Sequence, residues 1–246
     1  MDFAESPYRY WANHINPDRP KKEPTPAMIM GSAFHTICLE FDKFADIYAI
    51  EPKKVLLKDV GRPLYEAYKA ECEALEKTSK IVLTPADFDL LHQMKASLFC
   101  NEDAKHLIEG ATYEQSYFWK DPESGLMVKA RPDILHHDII VDLKSCADAS
   151  PRAFQRAMMD GGYHWQGAFI QDAVMACEGR FIENVINIAV EKTYPYSIGI
   201  YIIGEDALDA GRKQYRALLL DLKRSLSDNK WPDFEAQTIG LPAWAI

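Results

Sequence analysis

Nineteen residues at positions 126–144, LMVKARPDILHHDIIVDLK, restrict the fold of this chain more than any other stretch. Pro132-Asp133 ends one extended run, and eight residues further on Asp142-Leu143-Lys144 stands inside another. That second run begins Ile139-Ile140-Val141, continuously apolar, as a strand covered on both faces is. Side chains alternate along a strand, so Asp142 and Lys144 share one face while Leu143 points into the core. The segment therefore predicts a layered α/β fold in which two carboxylates and an ammonium meet at a buried strand.

Two carboxylates within about 4 Å repel by roughly 4 kcal/mol at an effective dielectric near 20. Lys144 offsets part of this, and a divalent cation offsets more. Hard oxygen ligands suit Mg²⁺, with Mn²⁺ as a substitute, ions that keep several waters and lean on substrate phosphate to complete their shell. The chemistry such a cluster supports is metal-assisted hydrolysis of a phosphodiester, with Asp133 and Asp142 holding the metal and Lys144 orienting water or neutralising developing charge. Asp-x-Lys alone is common and usually marks a surface ion pair. Pro-Asp at this spacing, with an apolar strand between, reverses that reading.

The rest of the chain shows no internal repeat. Prolines 7, 17, 20, 24 and 26 punctuate a Pro-rich arm that leads into a helix at about 27–41 carrying His35. Residues 63–78 read as an acidic helix, and Thr84-Pro85-Ala86-Asp87 as an N-cap opening another. From Tyr113 the period changes to two through Trp119, residues 121–125 form a turn, and strands follow at 126–131 and 139–143, giving a three-stranded meander. Helices are expected at 151–159 and 163–177, strands at 184–190 and 197–203, and a long helix at 205–226. We read one domain over 1–246, with a mainly helical N-terminal lobe (1–110) and a catalytic core (111–246).

Composition narrows the function classes. The formal charge is −9, so grip on nucleic acid by bulk charge is excluded and any polyanion must be met locally or through metal. The five cysteines are odd in number and no two lie within 27 residues of each other, which fits neither a disulfide framework nor a metal-ligand set and suits a reducing, cytoplasmic compartment. The most apolar stretch, 24–39, is too short and too polar to span a bilayer, so no membrane role is expected. The start, MDFAESPYRYW, has acidic residues where a signal peptide would have basic ones.

Several separate motifs, in order, carry a family resemblance: SPYRYWANHIN, KKEPTPAMIMGSAFH, YEQSYFW, VKARPDI, VDLKSCAD, YHWQGAF and WPDFEAQTIGLPAWA. The chain resembles the PD-(D/E)xK nucleases, and more narrowly the RecE (exonuclease VIII) nuclease domain of phage and prophage recombination systems. The resemblance implies a restriction-endonuclease-like core, a central mixed sheet flanked by helices. It makes Asp133 and Asp142 metal carboxylates, Lys144 the catalytic lysine, His35 a metal ligand or neighbour, and the Leu143 main-chain carbonyl part of the metal shell. Glu114 matches an acidic residue that could hold a second metal, or is an exposed strand glutamate. Gln166 matches a glutamine beside the site, whereas the tyrosine expected four residues on is Ile170 here, leaving Tyr163 as the nearby tyrosine. Some related nucleases carry an iron–sulfur cluster with C-terminal cysteines; no cysteine follows Cys177, so no cluster is expected.

The same resemblance implies digestion of linear double-stranded DNA from 5′ ends, 3′ single strands passed to a RecT-like annealing protein, and a ring-like tetramer. For DNA contact the sequence offers Arg152 and Arg156, one turn apart just after the Lys144 strand, and Arg212 and Arg216, which with Lys223 fall within about 40° on the last helix. The alternatives are an endonuclease with the same metal site and a catalytically silent DNA-end-binding recombination module. Retention of mutually repelling carboxylates with Lys144 favours an enzyme.

Overall fold

The computed structural model describes residues 2–240 of the 246. The first elements are short helices, α1 (Asp2–Glu5) and α2 (Pro7–Tyr10), followed by a π-helical turn, Trp11–Ile15. After an exposed stretch come α3 (Pro26–Leu39), α4 (Phe41–Ile47), β1 (Tyr48–Ile50), α5 (Leu57–Val60), α6 (Arg62–Glu76), β2 (Ile81–Leu83), α7 (Pro85–Cys100) and α8 (Glu102–Ile108). The strands β3 (Thr112–Tyr113), β4 (Tyr117–Lys120), β5 (Met127–Ala130), β6 (Ile134–Leu135) and β7 (Ile139–Cys146) follow. The chain continues through α9 (Pro151–Gly161), α10 (Tyr163–Glu178), β8 (Asn184–Glu191), β9 (Ile198–Ile202) and α11 (Glu205–Asp228).

Local chemistry starts the helices where the sequence indicates. Thr25 Oγ1 accepts from the Met28 N–H, with Pro26 in the first turn, and Thr84 Oγ1 accepts from the Asp87 N–H at 3.1 Å while donating to its carboxylate at 2.7 Å. Between α9 and α10 the backbone turns through Gly162 at φ 66°, a left-handed conformation that glycine adopts without steric cost.

The central sheet has the order β3-β6-β7-β8-β9 and is mixed: β7 and β8 run parallel, the other neighbours antiparallel. Alternation along β7 divides the core. Val141 and Leu143 pack on one face with Phe34 and Ile37 of α3 and Leu91, Met94 and Leu98 of α7. Ile140 packs on the other with Ala168, Ile170 and Val174 of α10 and Leu208 and Tyr215 of α11. Helices α3, α4, α7 and α8 thus form one outer layer and α9 to α11 the other, the architecture expected from the sequence. Among the described residues no helix is long and apolar enough to cross a membrane.

Two local expectations are corrected. The alternating run 113–119 is not one strand: Glu114 adopts φ 50°, its N–H donates to the Asp133 carbonyl, and the chain passes from the central sheet (β3) to a separate hairpin (β4-β5). The three strands do not form a meander, because the two-residue β6 inserts itself as the partner of β7 (Ile134↔Val141, Leu135↔Ile140). The Pro-rich arm is mostly helical over residues 2–15 and packs against the C-terminal segment. Phe3 and Ser6 are buried, Ser6 Oγ donates to Asp233 at 3.0 Å, and Tyr8 N–H donates to the Pro232 carbonyl. The helical lobe also contains a short parallel pair, β1 with β2, that residue patterning did not reveal. The final motif, 231–245, lies partly outside the described residues.

Helices α10 and α11 touch at backbone distance. A Cβ on Gly211 would stand 2.6 Å from the His164 carbonyl oxygen and 2.9 Å from the Trp165 nitrogen, neither of which can move without shifting α10. Gly211→Ala is therefore expected to cost about 1–3 kcal/mol through overpacking, despite alanine's better helix propensity. Gly31→Ala on α3, where a Cβ meets nothing within 4 Å, should be neutral or stabilising by up to about 1 kcal/mol. Urea titrations compare the two, and equal midpoints would contradict the close packing.

Candidate active site

The site lies where β6 and β7 meet the two helical layers. Asp133, at the entrance to β6, and Asp142, in the middle of β7, are 8% and 3% exposed, so neither carboxylate is neutralised by water. Asp133 Oδ2 accepts the Leu143 N–H at 2.9 Å, which fastens it to the strand carrying Asp142 and Lys144. Its other oxygen, Oδ1, faces His35 Nδ1 at 3.5 Å, and Glu114 Oε1 approaches the same nitrogen at 3.9 Å.

Around Asp142 three groups converge. Lys144 Nζ lies 3.0 Å from Oδ1 and 2.7 Å from Oδ2, Gln166 Nε2 donates to Oδ1 at 2.7 Å, and Asn187 Nδ2 donates to Oδ2 at 2.7 Å. Gln166 Oε1 in turn accepts from Lys144 at 3.1 Å, closing a ring of Asp142, Lys144 and Gln166. Asn187 Oδ1 is buried without a partner.

Of the residues singled out in the sequence, the structure brings together Asp133, Asp142, Lys144, Gln166, His35 and Glu114, with the Leu143 main chain between the two aspartates. Glu114 is mostly buried beside His35 and is not an exposed strand glutamate. Ile170 packs in the core of α10 and leaves no tyrosine there. Gly31 faces no neighbouring backbone; with His35, Glu114 and Asp133 it lines a cleft of about 680 Å³.

The DNA-contact candidates separate into two groups. Arg152 and Arg156 are exposed on α9 and line a cleft with Asp148 and Asp160. Arg212 and Arg216 do not form a free cationic face. Arg212 binds Asp172 at 3.0 Å, Asp209 at 2.9 Å and Gln171 at 2.6 Å, and Arg216 binds Asp172 and Glu123, both at 2.8 Å. Asp209 lies one turn away on α11, whereas Asp172 on α10 and Glu123 in the β4-β5 turn are distant in sequence. Sequence reasoning also missed Arg131, whose Nε is 2.7 Å from Glu114, and Asn187. An asparagine inside the apolar run NVINIAV was a usable signal, because a buried amide needs partners.

Would these residues fit a divalent ion? Among the described residues, ligand atoms of His35, Glu114 and Asp133 all lie within 4.8 Å of one another. Two carboxylates and an imidazole, next to a further buried carboxylate, form a donor set with excess negative charge and oxygen-dominated chemistry, which fits a cation of the Mg²⁺ or Mn²⁺ kind.

A profile of the family described as "PDDEXK-like domain of unknown function (DUF3799)" matches residues 1–238. Among solved structures, a candidate exonuclease from Eubacterium rectale superposes with a TM-score of 0.65 at 18% identity, covering 98% of this chain and 87% of its own. The protein SSO0001 superposes at 0.33 with 15% identity, over 71% of this chain and 68% of its own. An alkaline exonuclease from Laribacter hongkongensis superposes at 0.25 with 17% identity, over 71% and 90%. The first likeness speaks to the fold alone, and the other two scores are too low to support an argument. No curated protein matches the chain in sequence.

The electrostatics of the cluster make it pH-sensitive. Burial pushes the Asp142 carboxyl up to about 6, and the neighbouring Asp133 charge adds to the effect. Burial disfavours the charged form of His35, but hydrogen bonds to Asp133 and Glu114 and the field of both aspartates outweigh it, so the imidazole is pushed up to about 10. A folded value above the unfolded one, near 6.5, gives stability that is complete below pH 6.5 and is lost as pH rises toward 10. In EDTA the protein should therefore lose roughly 1–3 kcal/mol between pH 7 and 10 through this group, a window in which Asp142 is already ionised. Urea midpoints across that range should fall more steeply for the wild type than for His35→Gln. Parallel curves would mean that His35 is not held protonated.

Proposed function

The chain belongs to the PDDEXK-like family DUF3799, and from that membership we propose that it is a divalent-metal-dependent exodeoxyribonuclease acting on the ends of linear double-stranded DNA. The observation that carries this reading is the buried set Asp133, Asp142 and Lys144, joined from the two helical layers by His35 and Gln166. An ion held by Asp133, Asp142, Glu114 and His35, with the Leu143 carbonyl, would supply polarisation of the scissile phosphate and a water of lowered pKa.

The chain's own residues do the remaining work. Lys144 keeps its proton: burial opposes the charge, but Asp142 and Asp133 outweigh burial and raise its pKa. It therefore presents a fixed positive charge where negative charge grows on the phosphate oxygens in the transition state. Gln166 bridges Asp142 and Lys144 and fixes their spacing. Asn187 locks the second Asp142 oxygen. Each group is already oriented before substrate arrives, which is the requirement for electrostatic catalysis.

The finer assignment follows the motif resemblance: Mg²⁺ as the ion, 5′ to 3′ digestion, 3′ strands passed to a RecT-like annealing protein, and a ring-like tetramer. End-labelled linear and closed circular DNA, incubated with Mg²⁺ or with EDTA, test the core of this. Linear DNA should be lost progressively and the circle spared, with activity abolished by EDTA and lowered at least about 10²-fold by Lys144→Ala or Asp133→Ala. Cleavage of the circle would make the enzyme an endonuclease, and binding of ends without cleavage would make it a silent recombination module.

With Arg212 and Arg216 neutralised inside the fold, phosphate contacts are few and the salt dependence of DNA affinity should be shallow. Arg152→Ala and Arg156→Ala are each expected to weaken binding on every sequence alike and to reduce the log–log salt slope by about 1. A slope unchanged in both variants would place the DNA path away from α9.

A further inference from the structure

The hydrolysis proposed above places developing charge opposite Lys144, so whatever fixes that ammonium in space contributes to the rate. Asp142 and Gln166 hold it from two sides. On a third lies the ring of Tyr163, with Nζ 4.7 Å from the ring centroid. Tyr163 begins α10, three residues before Gln166, so the two side chains emerge on one helix face and grip Nζ together. A cation over a tyrosine face is attracted by the ring quadrupole, most strongly where water is excluded.

The ring's position is itself built. Phe154, buried on α9, lies 6.0 Å from it and is stacked on Tyr201 at 4.1 Å with an interplanar angle of 13°. On the other side is Gly161, where a Cβ would stand 2.3 Å from Tyr163 Cε1 and 2.8 Å from Cζ. Gly161 does not have a positive φ, unlike its neighbour Gly162, so the turn does not require glycine at 161. What excludes a side chain there is the tyrosine ring, which fills the space that side chain would occupy.

We propose that Tyr163 is a positioning residue for Lys144, its ring fixing the ammonium against Asp142 and Gln166, and that Gly161 leaves the space in which the ring is seated. The inference rests on the nuclease reading and concerns how that site reaches its full rate. The hydroxyl is not required; the aromatic face is. Loss of the face frees Nζ without removing it, so the effect falls on turnover and not on substrate affinity.

The test is steady-state digestion of linear double-stranded DNA by the wild type, Tyr163→Leu, Tyr163→Phe, Gly161→Ala and Lys144→Ala, with single-turnover rates for Tyr163→Leu combined with Lys144→Ala. Urea midpoints are measured for each. Tyr163→Leu should lower kcat about tenfold with KM changed less than about threefold, and Tyr163→Phe should recover most of that loss. Gly161→Ala, which favours helix but displaces the ring, should lower kcat without lowering the urea midpoint. In the Lys144→Ala background, Tyr163→Leu should have no further effect. A Tyr163→Leu enzyme within twofold of wild type, beside an inactive Lys144→Ala, would overturn the positioning role alone. So would an equal loss with and without Lys144, which marks a merely structural tyrosine. A fully active Lys144→Ala would instead overturn the nuclease mechanism, and this inference with it.

Discussion

Parallel pairing of β7 with β8 is the constraint from which the rest of the site follows. Two neighbouring parallel strands cannot be joined by a hairpin; the chain must cross over, and residues between Cys146 and Asn184 do so through α9 and α10. That crossover lays the start of α10 over the middle of β7 and brings Gln166 and Tyr163 to Asp142 and Lys144. The register does the same for β8, because Asp142 pairs with Asn187 and the two side chains face the same layer. A slip of one residue would turn Asp142 and Lys144 into the apolar layer under α3 and α7 and put Leu143 among the polar groups facing α10. The apolar pattern of β7 thus protects the chemistry by fixing which face carries it.

The site is also a seam between two cores. His35 belongs to α3, in the layer built on Phe34, Ile37 and Leu91, whereas Gln166 belongs to α10, in the layer built on Ala168, Ile170 and Val174. Asp133 is held to both sides, through His35 on one and through the Leu143 N–H on the strand that carries Asp142 on the other. Neither layer alone assembles the cluster. Unpaired, the two aspartates would be costly to bury, and the surrounding donors, Lys144, Gln166, Asn187 and protonated His35, make their burial tolerable.

Legibility in the sequence follows distance along the chain. Asp133, Asp142 and Lys144 were readable because strand alternation is local and their spacing spans a single turn between strands. The cap at Thr84 was readable for the same reason. The change of sheet at Glu114 was not, since 113–119 keeps its alternation across the break and only a left-handed backbone at Glu114 divides it. His35 and Gln166 were found through family motifs and not through residue pattern, as their partners lie on β6 and β7, far along the chain. The opposite case is Arg212 and Arg216: helical periodicity put them on one basic face flanked by Asp209, while Asp172, forty or more residues earlier, pairs with both and Glu123 with Arg216.

That neutralisation bears on how an acidic chain approaches DNA. At a net charge of −9 the long-range field opposes a polyanion, but at about 0.1 M salt it is screened beyond roughly 10 Å, so contact is decided by the charges near the scissile phosphate. The protein has Lys144 within the cluster, Arg131 at its rim, and Arg152 and Arg156 exposed on the helix that follows β7. Most of the local negative charge sits on Asp133, Asp142 and Glu114, where a divalent cation would convert it from a barrier into a means of holding phosphate. On the proposed reading, acidity and DNA chemistry are compatible in this fold because the carboxylates nearest the substrate are the ones a bound metal would neutralise. The exposed arginines would then be left to act on the phosphates alongside.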